Sequence, residues 1–478
     1  MVVIDTIGAI AIAGAQTFTW LLVLFVFFFI PSALCSAELG AALPEEGGVY
    51  VWVRRAFGRY AGGMASLLYW AGTPFWLGGS VTVVAIAALG RFFGTLDTFT
   101  MYAFGTVFIV IATIGAVIPL RLGKWVPTSG AVMQIILLAF FTVTTIVYGM
   151  QHGLHGFTAG SFVPSLTPFI AVVPILIYSF VGIELPTSAA EEMVDPKRDI
   201  PAAIGRAGVG QLLMYAVPIL AVLLVLPPAR VTSLHGLIDA MATVFTVYGG
   251  HVAADGHTTL AGAGSVIGAI AAVSFVWVLL ASGAAWIMGA GRAQAAACLE
   301  GAGPRRLGRI SEATGVPVTM GLVTGAVALV TMIADLSLTS GNGQRYFSAS
   351  LSVAVALIVL AYLIIFPAFV ALRIKEPELE RPFLVPGGRR VAWLLSFLAT
   401  GWSLLATLCL LWPGFGTSHP DAALPAGFAG DRGGFELLVL GPVCLLLAAY
   451  TCLYGMHRAR TEPDPDVEAA AAVSPGSP

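Results

Sequence analysis

Four residues that disturb a membrane helix fall within eight positions of one long apolar run, residues 166–204. They are Ser179, Gly182, Glu184 and Pro186. Glycine lowers helix stability, proline removes a backbone donor, and a carboxylate at bilayer depth is costly unless it is solvated or paired. Irregular backbone persists at that depth only where it is packed in protein or lines a wet cavity. The pattern therefore predicts a broken span that holds the cargo of a transporter; the alternative is a helix that ends at the water surface near Gly182.

The composition places this run in a membrane protein. Of the 478 residues, 58% are hydrophobic and 10% are charged, whereas soluble domains carry roughly 25% charged residues. The apolar runs are about 20 residues or longer, which predicts helices rather than the strands of a barrel. The net charge of −2 does not suggest a nucleic-acid partner, and the five cysteines show no metal-ligand or redox spacing.

No catalytic constellation competes with transport. The sequence has no nucleophile motif, no HExxH-type metal motif and no phosphate-binding P-loop. We therefore expect a protein that is not an enzyme, that has no cofactor and no metal site, and that is driven by solute gradients rather than by ATP.

The run FVGIELPTSAAEEMVDPKRDIPAAI resembles the sixth span of the amino acid–polyamine–organocation (APC) transporters. The shared pattern is Phe-x-Gly-x-Glu, then Glu-Glu, Asn/Asp-Pro, a basic pair and Ile-Pro, which here includes Glu191, Glu192, Pro196 and Arg198. The resemblance implies an all-α integral membrane protein with a LeuT-type five-plus-five inverted repeat and two additional C-terminal helices. It also implies a permease that moves amino acids across the plasma membrane by alternating access.

A second match lies where the first complete span ends, in IPSALCSAEL followed by GGVYVWV. This segment resembles the glutamate/GABA antiporter branch of the superfamily. It contains Glu38, Gly47 and Gly48, which we assign to a structural motif. We expect Glu38 to be an ion-pair partner at the inner surface rather than a transport residue.

Residues 1–14 are apolar but too short to cross a bilayer. Fourteen helical residues reach about 21 Å, less than the roughly 30 Å hydrocarbon core. This piece is either half a span or the remainder of a span whose start is missing. The resemblance favours the second alternative, because family members have a half-helix and a Gly-rich loop ahead of this point, and it puts the transport competence of the chain as written in doubt. Asp5 is either a substrate or proton contact or a solvated terminal residue.

A binding site for a zwitterionic amino acid needs two parts, one that suits the carboxylate and one that suits the ammonium group. The outer half of the broken span is expected to end near residues 179–181, where its carbonyls would face an ammonium group. Glu184 would either hold a proton or lock the inner half by hydrogen bonds, and Tyr178 and Phe180 would cover the ligand. The predicted substrate-binding residues are Tyr178, Ser179, Phe180, Val181, Gly182, Ile183, Glu184 and Asp5.

Aromatic residues on two other spans are candidates for the pocket or gate. They are Tyr69, Trp70, Phe275 and Trp277, with Trp76 nearby. The alternative for each is simple packing or interfacial anchoring.

The identity of the coupling ion is judged from residues that related carriers have at particular positions. No adjacent hydroxyl pair lies on the span at 262–288, where sodium-coupled relatives usually have one, and no Lys lies inside the span at 126–148. Exchange of one amino acid for another, or proton coupling through Glu184 or a histidine, stays open. The expected partners are a small-molecule amino acid and the lipid bilayer; the particular substrate and the oligomeric state are not predicted. The alternative function is a transport-incompetent receptor or a partner-dependent subunit.

Twelve crossings are predicted, counting the N-terminal piece. The others are 17–43, 61–89, 98–119, 126–148, the broken span at 168–190 with an exit running to 204, 208–227, 262–288, 316–335, 348–371, 392–412 and 435–455. If the loop after Leu43 is inside, four of the 23 basic residues lie outside and the remaining 19 inside, as the positive-inside rule requires. The four are Arg91, Arg230, Arg345 and Arg432. The C-terminus is then cytoplasmic.

No internal repeat is visible as sequence similarity. The division of the chain into six parts is therefore what the family resemblance implies. They are a first transmembrane repeat at 1–149, an extracellular loop at 150–165, a second repeat at 166–372, a cytoplasmic loop at 373–390, two additional helices at 391–456, and a disordered cytoplasmic tail at 457–478.

Overall fold

The computed structural model describes residues 2–339, 342–417, 420–425 and 427–458, so most of the predicted tail lies outside the described residues. Apart from single-turn helices, 3₁₀ segments and one hairpin, its elements are α1 Ile7–Ala11, α2 Gln16–Ala42, α3 Val49–Phe57, α4 Arg59–Phe93, α5 Thr98–Val117, α6 Trp125–His152, α7 Leu166–Tyr178, α8 Pro196–Val225, α9 Gly236–Val244, α10 Ala263–Leu299, α11 Val318–Leu338, α12 Gly343–Lys375, α13 Gly388–Leu411 and α14 Arg432–Arg458.

Ten helical stretches within the described residues are long and apolar enough to cross a membrane. Each unbroken run predicted to cross coincides with one of them. Helix α12 lies in the middle of the bundle, because 78% of its most apolar window is buried, whereas 17% is buried in α14. The remaining apolar faces are suited to lipid.

Helix α8 differs from the sequence prediction. The segment after the broken span was expected to be a separate amphipathic exit, but α8 runs without interruption from Pro196 to Val225. Pro196 lies in the first turn, where its missing N–H would have no helical partner. Lys197, Arg198 and Asp199, which are part of the charged segment that suggested an exit, therefore form the start of the next span.

Two short elements between α8 and α10 were not predicted. Helix α9 is followed by a two-stranded antiparallel hairpin, β1 Gly250–Val252 and β2 Thr258–Leu260, in which His251 pairs with Thr259. Both elements are shorter than any span, so the predicted all-α membrane class is unaffected.

Ion pairs connect several loops at one end of the bundle. Arg54 lies 3.0 Å from Glu300, and Lys197 lies 3.3 Å from Glu380. We call this end, which carries the loops at 43–48, 300–317 and 376–387, the basic face. Helix α4 starts there, so its far end marks the opposite face.

The opposite face has its own ion pairs. Arg91 lies 3.2 Å from Asp239, and Arg432 lies 2.7 Å from Asp421. Arg91 and Arg432, which the charge count placed outside, thus lie at this face and not at the basic face. Which face meets the cytoplasm stays a prediction.

Candidate functional site

The span at 166–192 is broken inside the protein. Helix α7 ends at Tyr178, the chain turns, and it resumes as a 3₁₀ segment at Leu185–Glu192 rather than as an α-helix. Gly182 has φ +94°, a conformation that glycine adopts without steric cost. Ser179 and Glu184 are buried. The predicted break is confirmed, and the alternative of a helix ending at the water surface is wrong.

Asp5 is buried beside this break, with 4% of its surface exposed. Its Oδ2 atom accepts hydrogen bonds from Trp76 Nε1 at 3.1 Å and from Ser80 Oγ at 3.2 Å. Its Oδ1 atom has no hydrogen-bond partner among the described residues. The alternative in which Asp5 is a solvated terminal residue is therefore wrong.

The segment that carries Asp5 is fixed by two spans. The backbone N–H of Val2 donates to Gln134 Oε1 at 3.2 Å, and that of Val3 donates to the Tyr215 hydroxyl at 2.9 Å. Gln134 lies on α6 and Tyr215 on α8. These bonds satisfy backbone groups that would otherwise be unpaired at membrane depth.

Glu184 forms the second buried carboxylate at the break, with 2% of its surface exposed. The Tyr362 hydroxyl on α12 donates to its Oε1 atom at 2.7 Å. The Tyr69 hydroxyl lies near the same carboxylate but outside hydrogen-bond geometry. Tyr178, at the end of α7, is buried and interacts electrostatically with Asp5, Tyr69 and Tyr362.

Trp286 on α10 is a further aromatic residue at the break, next to Tyr69 and Trp76. Its ring lies 5.8 Å from that of Tyr69 and 6.2 Å from that of Trp76. A Cβ atom on Gly182 would come 2.9 Å from the Trp286 ring. Trp286 was not among the aromatic residues predicted from the sequence, which on this helix were Phe275 and Trp277.

The other candidate aromatics have different surroundings. Trp70 donates to Thr324 at 2.8 Å, and Trp277 donates to Ser129 at 3.3 Å. Phe275 is buried in α10. Trp70 and Trp277 thus have hydrogen-bond partners on α11 and α6 rather than on the broken span, whereas Tyr69 lies near Glu184.

Two of the predicted binding residues help to hold the break together. The Ser179 hydroxyl donates to the Leu176 carbonyl at 2.6 Å, and the Ser179 carbonyl accepts from Gln211 Nε2 at 2.6 Å. Phe180 packs against Phe29, with ring centroids 5.3 Å apart. Gln211 was not predicted; a single amide in an apolar span was the only available signal.

A cavity of about 410 Å³ adjoins the break and is lined in part by Val181, Gly182, Ser282 and Trp286. A smaller one, of about 180 Å³, includes Ile183 in its wall. Pockets for small molecules are typically about 300–1,000 Å³. The larger cavity can therefore hold a small solute next to Gly182.

The paired glycines of the structural motif lie against the 3₁₀ segment. The Gly47 N–H donates to the Ser188 carbonyl at 3.3 Å. Gly48 has φ +44°, and a Cβ atom there would lie 2.6 Å from Thr187 Oγ1. Close backbone approach thus explains the glycine pair.

Glu38 is an ion-pair partner, as predicted. Arg373 forms a bidentate pair with it, and Arg381 Nε lies 3.3 Å from its Oε1 atom. In the other motif, Pro196 begins α8 and Arg198 is exposed. The side chains of Glu191 and Glu192 lie outside what the structure describes.

A helical membrane bundle with a broken span, two buried carboxylates and an adjoining cavity is the architecture of a secondary transporter. The chain belongs to the amino acid permease family, whose model matches residues 1–424. It is a secondary amino acid transporter.

Two relatives that this chain matches are named as antiporters. It is 27% identical to a probable agmatine/putrescine antiporter of Lactococcus lactis, covering 80% of this chain and 79% of that one. It is 23% identical to the glutamate/gamma-aminobutyrate antiporter of the same organism, covering 78% and 74%. An uncharacterized transporter of Legionella pneumophila is 27% identical, covering 83% and 84%.

A manganese transporter of Eremococcus coleocola has a similar structure, with a TM-score of 0.51 and 12% identity over 95% of this chain and 92% of that one. This likeness shows the fold alone. It agrees with the predicted LeuT-type fold, while the five-plus-five repeat and the domain boundaries stay predictions. Among the described residues, no group of three or more His, Cys, Asp and Glu side chains could hold a metal ion.

Proposed function

We propose that this chain exchanges one amine-bearing solute for another, and that Asp5 receives the positively charged amino group. The observation that supports this is the unpaired Oδ1 atom of a carboxylate that is almost fully buried. A buried charge without a partner is costly, and a cationic ligand would remove that cost when it binds.

The surroundings of Asp5 favour a cation over an anion. No ion pair joins Asp5 or Glu184 to a basic side chain among the described residues, and their hydrogen-bond donors are neutral. The rings of Trp76 and Trp286 lie close by, and aromatic faces attract cations. A substrate carboxylate would then lie away from these two acids.

The named relatives support exchange as the transport mode and an amine as the group that the substrates share. Two of them are named as antiporters, one for agmatine and putrescine and one for glutamate and gamma-aminobutyrate. All four compounds carry an amino or guanidino group. Exchange is therefore the mode we propose; proton coupling through Glu184 is the alternative.

Transport into proteoliposomes tests the proposal. We expect uptake of radiolabelled putrescine, lysine or glutamate only into vesicles preloaded with an unlabelled amine. Glutarate, which lacks the amino group of glutamate, should compete poorly. Asp5→Asn should weaken substrate affinity about ten- to hundredfold, the usual effect of losing a hydrogen bond to a charged group.

The control is Asp97→Asn, which changes an exposed helix-capping carboxylate far along the chain. Unchanged affinity in Asp5→Asn would contradict the role of Asp5. Uptake into empty vesicles driven by a proton gradient would contradict exchange. Binding of amines without any flux would favour the receptor alternative.

We also propose that the basic face is cytoplasmic and that the chain lies in the plasma membrane with its C-terminus inside. The support is the distribution of the 23 basic residues, of which 19 would then be internal. A cysteine introduced at 376–387 should be protected from an impermeant thiol reagent in intact cells. Labelling of that cysteine would contradict the orientation.

A further inference from the structure

A second cavity, of about 330 Å³, lies at the basic face between the end of α12 and the start of α13. Three arginines line it: Arg373, Arg381 and Arg389. The rest of its wall is largely apolar and includes Ile374 and Leu384. It is separate from the cavity at the broken span.

The charges around this cavity do not balance. Arg373 and Arg381 share the single carboxylate of Glu38, and the three side chains are only 12%, 10% and 1% exposed. The nearby acids Glu376 and Glu380 are paired with Arg55 and Lys197, and Glu378 is exposed and forms no ion pair with these arginines among the described residues. One positive charge is therefore left without a carboxylate partner of its own. Arg381 donates instead to backbone carbonyls, including those of Leu372 and Leu379, and a counter-charge would be favoured in this partly dehydrated setting.

Arg389 adds a further positive charge at the mouth of the cavity. It is exposed and forms no ion pair among the described residues. It lies in the first turn of α13, a helix of 24 residues, whose N-terminal end also attracts anions. The cavity is thus suited to an anionic group.

The apolar surroundings indicate what carries that anion. Ile374 is 47% exposed, Leu384 is 60% exposed, and Trp393, one turn after Arg389, is 51% exposed. Tryptophan is enriched at the level of lipid headgroups. A soluble anion would leave these apolar side chains uncovered, whereas a lipid would cover them with its acyl chains.

We propose that this cavity is a binding site for an anionic phospholipid, with the phosphate beside Arg389 and the acyl chains along Ile374 and Trp393. Basic pockets between spans are known to suit such headgroups. Because Arg373 also holds Glu38 on α2, a bound lipid would stabilise the connection between α2 and α12.

The experiment compares lipid binding to the full chain and to two matched variants. Native mass spectrometry and thermal unfolding are measured with phosphatidylglycerol and with phosphatidylcholine added to purified protein. We expect phosphatidylglycerol to bind and stabilise selectively. Arg389→Gln should weaken its binding about fivefold, the factor that corresponds to one basic side chain near an anionic surface, and Arg389→Lys should retain most of it.

The matched control is Arg390→Gln, which removes another exposed charge from the same helix turn but not from the cavity wall. It should bind phosphatidylglycerol like the wild type. Equal weakening in the two Gln variants would overturn the proposal, because it would show general surface attraction. Lack of preference over phosphatidylcholine, or complete competition by glycerol phosphate, would also overturn it.

Discussion

Glu184 has two possible roles, and its hydrogen bond to Tyr362 allows them to be separated. The carboxyl group accepts from the tyrosine hydroxyl at 2.7 Å and is otherwise surrounded by buried groups. A glutamine at this position has nearly the same shape and can still accept that bond through its amide oxygen. The substitution therefore removes the titratable group while keeping the local contact.

We expect Glu184→Gln to reach the membrane in normal amounts and to lose the pH dependence of transport, since no group remains there to take up a proton. The measurement is the initial rate of exchange in proteoliposomes across a pH series. Tyr362→Phe is the control, because it removes the hydrogen bond and leaves the carboxyl group, so its rate should still respond to pH. A wild-type pH profile in Glu184→Gln would leave only the locking role.

The acids of the site were predictable and most of their partners were not. Asp5 and Glu184 stand out because ionisable residues are rare in apolar runs, and Gly182 stands out because it lies within four residues of Glu184 and Pro186. Trp286 has no such signal in an apolar helix. It lies nine residues after the predicted Trp277, which is about 14 Å along a helix, and only the packing of α10 against α4 determines which aromatic reaches the break.

Within α4, a π-helical segment at Leu77–Val81 positions the donors to Asp5. Gly79 has φ −94° and ψ −105°, which interrupts the regular helix. Trp76 and Ser80 lie at this irregularity and both donate to the Asp5 carboxylate. Single π-helical turns often occur at functional sites, and this one lies where the two donors to Asp5 are found.

This segment also requires close contact with α11, which leads to a stability prediction. A Cβ atom on Gly78 would lie 2.8 Å from the carbonyl carbon of Ala328 and closer still to its oxygen. Because backbone atoms cannot move aside easily, we expect Gly78→Ala to cost about 1–3 kcal/mol, the usual range for overpacking. Thermal unfolding of the purified variants measures the loss.

Gly90→Ala is the matched control for Gly78→Ala, because Gly90 lies on the same helix with no atom within 4 Å of its added Cβ atom. Alanine is the better helix former, so this variant should be neutral or more stable by up to about 1 kcal/mol. Equal stability of the two variants would show that α4 and α11 do not depend on this contact.

The spans were predictable as elements because lipid selects long apolar helices. The 3₁₀ form of Leu185–Glu192 and the continuity of α8 were not. Both depend on tertiary contacts, such as the hydrogen bond from Gly47 to Ser188, and on a proline that is compatible with a helix start. Local propensity cannot distinguish a helix that ends from one that begins.

At the scale of the whole molecule, ion pairs connect parts of the chain that are distant in sequence. Glu38 on α2 binds Arg373 at the end of α12, Arg381 in the following loop, and the backbone N–H of Val385 at 2.8 Å. The charge count predicted that basic residues cluster at this face. It could not predict that one buried carboxylate would join α2, α12 and the loop before α13.

This connection predicts a large loss of stability in Glu38→Gln. The substitution leaves Arg373 and Arg381 buried without a counter-charge, and breaking a buried ion pair from one side costs about 3–5 kcal/mol. The thermal unfolding midpoint should therefore fall strongly. Glu300→Gln is the control, because Glu300 is 37% exposed in its pair with Arg54 and exposed pairs contribute about 1 kcal/mol or less. If the two variants unfolded at the same temperature, the basic face would be held by its many surface contacts together, and Glu38 would have no special part in joining the helices.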